Sequence, residues 1–199
     1  MKRFFMWSSL FLMMGVNVAA SAETELQEKQ DVLKIMKKYA ESTACETSFE
    51  KEASPDGRVT GLRDVNTIER DAEMGSSSYF VLWSGDVGCQ GGSGTNSSYL
   101  SEVSRFSDTR PFLVTAQDVL GDKIQGGEAG QINMRFTESI KKLANGNLEI
   151  ISWNYADKKF GGKDGGNNFP ANKFKYTLAF DSKSNQWKVV NQILLGRAK

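Results

Sequence analysis

The stretch INMRFTESIKKLANGNLEIISWNY, residues 132–155, decides the fold. Its first part sets Ile132, Met134, Phe136, Glu138 and Ile140 at alternate positions, with Asn133, Arg135, Thr137, Ser139 and Lys141 between them. That period of two belongs to a half-buried strand, because successive side chains leave a strand on opposite faces. Asn145-Gly146 is the dipeptide best suited to a tight hairpin turn, which needs positive φ at its centre. Residues 148–155 then run back with Ile151, Trp153 and Tyr155 on one face. Two strands joined by so short a turn pair antiparallel.

The design recurs downstream. Phe174, Tyr176, Leu178 and Phe180 alternate with polar residues, residues 182–185 turn, and Trp187, Val189, Asn191 and Ile193 return. Upstream, residues 78–87 contain Tyr79-Phe80-Val81-Leu82-Trp83, a run without alternation that predicts a strand buried on both faces. Residues 98–106 and 112–120 predict shorter strands. Residues 49–78 are polar and punctuated by Ser54-Pro55-Asp56-Gly57 and Gly75-Ser76-Ser77-Ser78, so a long connection holding one short strand, 59–68, is expected. Before it, Val32, Ile35, Met36 and Tyr39 recur at the spacing of one helical face within residues 23–45, with Lys34, Lys37, Lys38 and Glu41 outside it.

The expected fold class is therefore α+β: an N-terminal helix packed on a curved antiparallel meander of six or seven strands. Its plan is similar to the cystatin-like and nuclear-transport-factor-like (NTF2-like) folds, a likeness of architecture that implies no function. A closed barrel with the helix as a plug is the alternative.

The first residues carry the three parts of a secretory signal: basic Lys2 and Arg3, an apolar run over 4–18, and small residues Ala20-Ser21-Ala22. Residues 1–22 are expected to be removed, leaving 23–199 as one soluble domain without a stable membrane anchor, periplasmic or secreted. Removing Lys2 and Arg3 from 25 basic residues leaves 23 against 24 acidic ones. A chain so nearly neutral lacks the basic stripe that nucleic acid requires. In an oxidising compartment the two cysteines, Cys45 and Cys89, are expected to form a disulfide; buried free thiols or pairing with another chain are the alternatives.

The sequence contains no histidine. Ser-His-Asp triads, Cys-His dyads and histidine-based zinc sites are thereby excluded, and no cofactor or metal is expected. Residues 85–95 are glycine-rich, yet the Lys-Ser/Thr of a phosphate loop is missing and a nucleophilic serine would lack a base. Two readings of this segment stay open: a wide hairpin tied down at Cys89, or a binding loop projecting Asp86, Gln90, Gly91, Gly92, Ser93, Thr95 and Asn96. Asn96-Ser97-Ser98 is formally a glycosylation sequon. A second glycine-rich segment, 161–168, carries Asp164 close to Asp157 but lacks the order of acids of a calcium-binding hand.

Catalysis by acids alone would need two carboxylates drawn from Asp86, Glu102, Asp118, Glu128 and Glu138, converging in a cleft lined by Trp83, Trp153 or Trp187. Glu138 falls on the apolar side of its predicted strand, where an edge position or a lysine across the ladder accounts for it. The expectation is a non-enzymatic exported protein that binds another protein of the cell envelope, in the manner of an inhibitor or immunity protein. A glycan hydrolase or lyase working with acids alone, and a structural component of an envelope assembly, are the alternatives.

Overall fold

The computed structural model describes residues 24–50, 58–92, 94–121, 131–163, 166 and 169–198. Residues 1–22, with the predicted signal peptide, lie outside the described residues. One helix, α1 (Glu25–Thr43), precedes nine strands: β1 (Ala44–Thr47), β2 (Val65–Asp71), β3 (Ser76–Val87), β4 (Ser97–Arg105), β5 (Leu113–Ala116), β6 (Thr137–Lys142), β7 (Leu148–Asn154), β8 (Asn172–Asp181) and β9 (Gln186–Arg197).

The helix begins at Thr24, whose hydroxyl accepts a hydrogen bond from the Gln27 amide at 3.3 Å, and Glu25 and Glu28 place negative charge in its first turn. It ends where Ala44 turns extended and the chain enters β1 directly. Val32, Met36 and Ala40, four residues apart, are wholly buried against the first sheet, with Leu33, Ile35 and Tyr39 flanking them. Burial of each large aliphatic side chain contributes about 1.5–3 kcal/mol.

The strands form two open antiparallel sheets, the first ordered β1-β3-β4-β5 with β2 also on β3, the second β6-β7-β8-β9. β3 explains the division. Tyr79, Val81 and Trp83 point into the helix layer, whereas Phe80 and Leu82 pack with Leu100 against Ile150, Phe174 and Tyr176 of the second sheet. A strand apolar on both faces needs a cover on each side, so the molecule has three layers: helix, first sheet, second sheet. The α+β class holds. The single curved sheet does not, and the barrel alternative fails because both sheets are open.

Two local corrections follow from the register. The predicted strand at 132–140 begins only at Thr137, because Asn133 Oδ1 accepts the Arg135 amide at 3.2 Å and starts a short 3-10 turn over Met134–Phe136. A bulge between Thr137 and Ser139 then shifts the alternation, so that Thr137 and Ile140 are buried. In β7 the buried row is Leu148, Ile150 and Ser152, which leaves Ile151 and Trp153 on the opposite face. The hairpin between β6 and β7 forms as expected, with Gly146 at φ 84°.

The edge of β3 is shared. β1 pairs with its end (Ala44↔Val87, Thr47↔Gly85) and β2 with its beginning, from Asp71↔Ser76 to Val65↔Val81. The gap between them is closed by Ser48, whose amide donates to Ser84 O at 2.8 Å, and by Thr60, whose hydroxyl donates to Leu82 O at 3.3 Å. The two sheets meet along β2 and β6 without a ladder. Asn66 Nδ2 donates to Ile140 O at 3.2 Å, Lys142 Nζ to Ile68 O, and Arg58 to the carbonyls of Thr137 and Glu138.

Candidate functional site

Two features adjoin at one end of the molecule: the loop after β3, and a cleft at the corner where the β1–β2 gap faces the start of β6. The loop is fastened at its root. Cys45 and Cys89 form a disulfide with their Cα atoms 5.1 Å apart, and the Gly88 amide donates to Thr43 O at 3.0 Å. Asp86, only 6% exposed, accepts the amides of Gln90 at 3.2 Å and Gly91 at 2.9 Å on its two carboxylate oxygens. One buried carboxylate thus satisfies backbone donors that a short irregular loop would otherwise leave to solvent.

Gly91 and Gly92 continue the loop at φ 69° and 108°, backbone that L side chains rarely adopt, while a β-carbon at either would meet nothing within 4 Å. The glycines therefore serve conformation, and the space around them is open. Thr95 closes the turn through its hydroxyl, which donates to Gly92 O at 2.9 Å.

The seven predicted contact residues separate by role. Gln90, Gly91 and Gly92 are exposed, Asp86 holds the loop from within, Thr95 is used in its turn, and Ser93 lies outside the described residues. Asn96 lines the cleft; its Nδ2 is buried and has no hydrogen-bond partner among the described residues. Nδ2 is the atom a glycan would occupy in the sequon, and in the folded chain it is sealed. Nearby, burial, with the charges of Asp118 and Asp86 adding to it, pushes the Tyr99 hydroxyl above its ordinary value.

The cleft has a volume of about 480 Å3. Leu82, Phe136 and Trp153 supply its apolar wall, and the Ser48–Thr60 pair, Ser84, Ser98 and Asn96 its neutral polar wall. Ser48 Oγ and Thr60 Oγ1 lie 2.6 Å apart and brace each other. The charged groups at the rim each have a partner. Arg58 pairs with Asp64, the Glu138 carboxylate accepts from Trp153 Nε1 at 2.5 Å and from Lys173 Nζ at 2.6 Å, and the Arg135 guanidinium lies 5.2 Å from the Phe136 ring centre. Sequence reasoning missed Arg58, Arg135 and the Ser48–Thr60 pair, because residues from six separate segments meet here and none of them carries a motif.

Among the described residues the candidate acids do not converge. Glu138 is the one of them that lines the cleft; Asp86 serves its loop, Asp118 accepts the amides of Leu100 and Leu120, Glu102 accepts from Ser104, and Glu128 lies outside the described residues. Of the three candidate tryptophans, Trp153 and Trp83 line the cleft, Trp83 from a buried position with its indole N–H donated to Ser101 at 2.8 Å, whereas Trp187 packs on Phe180. No group of three acidic or cysteine side chains among the described residues could hold a metal ion. Asp157 accepts the amides of Lys159 and Phe160 in its own turn, and Asp164 lies outside the described residues. No helix among the described residues is long and apolar enough to cross a membrane.

No protein-family description matches this chain, and neither curated proteins nor solved structures give a match.

Proposed function

We propose that this chain is an exported, periplasmic or secreted protein that works by binding another protein of the cell envelope, with the loop of residues 85–96 as its contact. One observation carries the reading: the root of the loop is fastened before any partner arrives. A disulfide and the Asp86 carboxylate hold its root, while Gln90, Gly91 and Gly92 stand exposed at its tip. A loop anchored at its root in the free protein avoids part of the entropic cost of docking, and glycines let a partner approach the backbone closely. The disulfide supports export, since such bonds persist in oxidising compartments. The helix lying on an antiparallel sheet keeps part of the cystatin-like or NTF2-like plan, which bears on architecture alone.

The test is chemical crosslinking in the intact envelope, comparing the native chain with Gln90→Ala, which removes an exposed side chain at the loop tip without straining the backbone. A discrete adduct is expected with the native chain and its loss with the variant, while circular dichroism of the two stays the same. An adduct of equal yield from both would place the contact elsewhere and overturn the assignment of the loop.

A further inference from the structure

We infer that the corner cleft is a saccharide-binding site, separate from the protein contact proposed for the loop tip. Its volume, about 480 Å3, falls in the range of roughly 300–1,000 Å3 that small-molecule sites occupy. The chemistry of its walls selects among ligands. A simple anion or cation gains little there, because each charged side chain at the rim already has a partner: Arg58 in Asp64, Glu138 in Lys173 and Trp153, and Arg135 in the Phe136 ring. A wholly apolar ligand fits no better, since it would cover the hydroxyls of Ser84 and Ser98 and the amide of Asn96 without bonding to them, at about 1–3 kcal/mol for each group left unpaired.

A pyranose ring meets both walls. Its C–H face suits the aromatic surface that Phe136 and Trp153 offer beside Arg135 and Lys173, which lie 5.2 and 5.5 Å from their ring centres, and its hydroxyls both donate and accept, as the facing Ser84, Ser98 and Asn96 do. Asn96 adds a driving force. Among the described residues its Nδ2 is buried without a partner, a cost that a ligand oxygen removes when the amide turns toward it. The carboxylate beside the site belongs to Glu138 and is occupied by Trp153 and Lys173, so the inferred event is binding without bond cleavage.

Titration of the isotope-labelled chain with N-acetylglucosamine, chitobiose and cellobiose, followed by amide chemical shifts, tests the inference. Benzoate and cyclohexanol serve as the anionic and apolar controls. Saturable shifts confined to residues around Ser84, Asn96, Ser98 and Phe136 are expected with at least one sugar, at millimolar dissociation constants or tighter, and neither control should produce them. In Asn96→Ala the sugar affinity should fall about tenfold, the equivalent of one hydrogen bond, while the melting temperature stays level or rises because an unsatisfied donor is gone. Ser98→Ala, which keeps the volume of the wall, should weaken binding in the same direction. Absence of saturable shifts with all three sugars, equal binding by Asn96→Ala and Ser98→Ala, or saturation by benzoate or cyclohexanol would each overturn it. The loop-tip variant Gln90→Ala should bind sugar normally, which separates this site from the protein contact.

Discussion

Glu28 ties the helix to the first sheet. It is 2% exposed; its Oε1 accepts from Arg70 at 2.8 Å and Arg105 at 2.9 Å, and its Oε2 from the Tyr79 hydroxyl at 2.5 Å. Burial alone would raise its pKa, but the hydrogen bonds from Arg70 and Tyr79 and the charge of Arg105 outweigh burial and hold the carboxyl below its usual range. The folded chain therefore binds fewer protons at this group than the unfolded chain. Its contribution to stability is complete above the ordinary value of 4.5 and is lost as the pH falls through the lower folded value. Glu28→Gln, which leaves two arginines facing a neutral amide, should lower the unfolding free energy at pH 7 by about 3–5 kcal/mol. Urea titrations from pH 7 down to pH 3 should also show a flatter acid limb in the variant, and a limb as steep as the native one would assign the acid sensitivity to other carboxylates. None of this was legible in sequence. Arg70 stands 42 residues from Glu28 and Arg105 stands 77 away, so the helical period marks Val32 and Met36 as inward but says nothing of a buried acid one turn earlier. The loop after β3 is legible in part: its glycines and Cys89 are visible as a pattern, whereas the use of Asp86 as its internal anchor depends on where the chain turns.

At the scale of elements, β3 is the strand on which both the loop and the cleft depend. β1 approaches it so closely at Gly85 that a β-carbon there would lie 2.7 Å from Glu46 O and 3.0 Å from the Trp83 ring. Gly85→Ala should push β1 off the sheet, lowering stability by about 1–3 kcal/mol and speeding reduction of the disulfide by a mild thiol, measured by thiol trapping. Reducing the bond in the native chain should cost about 3–4 kcal/mol on the chain-entropy view of a 44-residue separation, read as a lower urea midpoint in the presence of reductant. An unchanged midpoint would mean that the two residues are held together by the strands alone. The hairpins were readable because they rest on local chemistry, Asn145-Gly146 above all. The face of β7 was not, since Ser152 is buried and Trp153 is not, an inversion of hydropathy that arises from Trp153 donating to Glu138 and Ser152 donating to Asn133 O at 2.7 Å. The bulge at Glu138 likewise depends on pairing, which a single strand's sequence does not display.

For the whole molecule, the inter-sheet core governs cooperativity. Leu82, 2% exposed, stands at its centre and also floors the cleft. Leu82→Ala should cost about 2–5 kcal/mol and leave the layers joined chiefly by the side chains along β2 and β6; thermal unfolding should broaden accordingly. The doubly apolar run at 79–83 was the sequence's sign that a second layer exists, but which strands supply it depends on where the meander divides. That division falls in a segment without periodicity, so a single sheet was the simpler inference. Connectivity separates the halves cleanly: the helix, both cysteines and the first sheet all precede residue 117, and the second sheet is an unbroken meander from Thr137 to Arg197. In a chain delivered from its N-terminus, the Cys45–Cys89 bond can close before the second half emerges. During that interval Phe80, Leu82 and Leu100 face water with no cover. The newborn first half thus presents a sticky apolar plate, a natural holding point for a chaperone until the last two hairpins arrive.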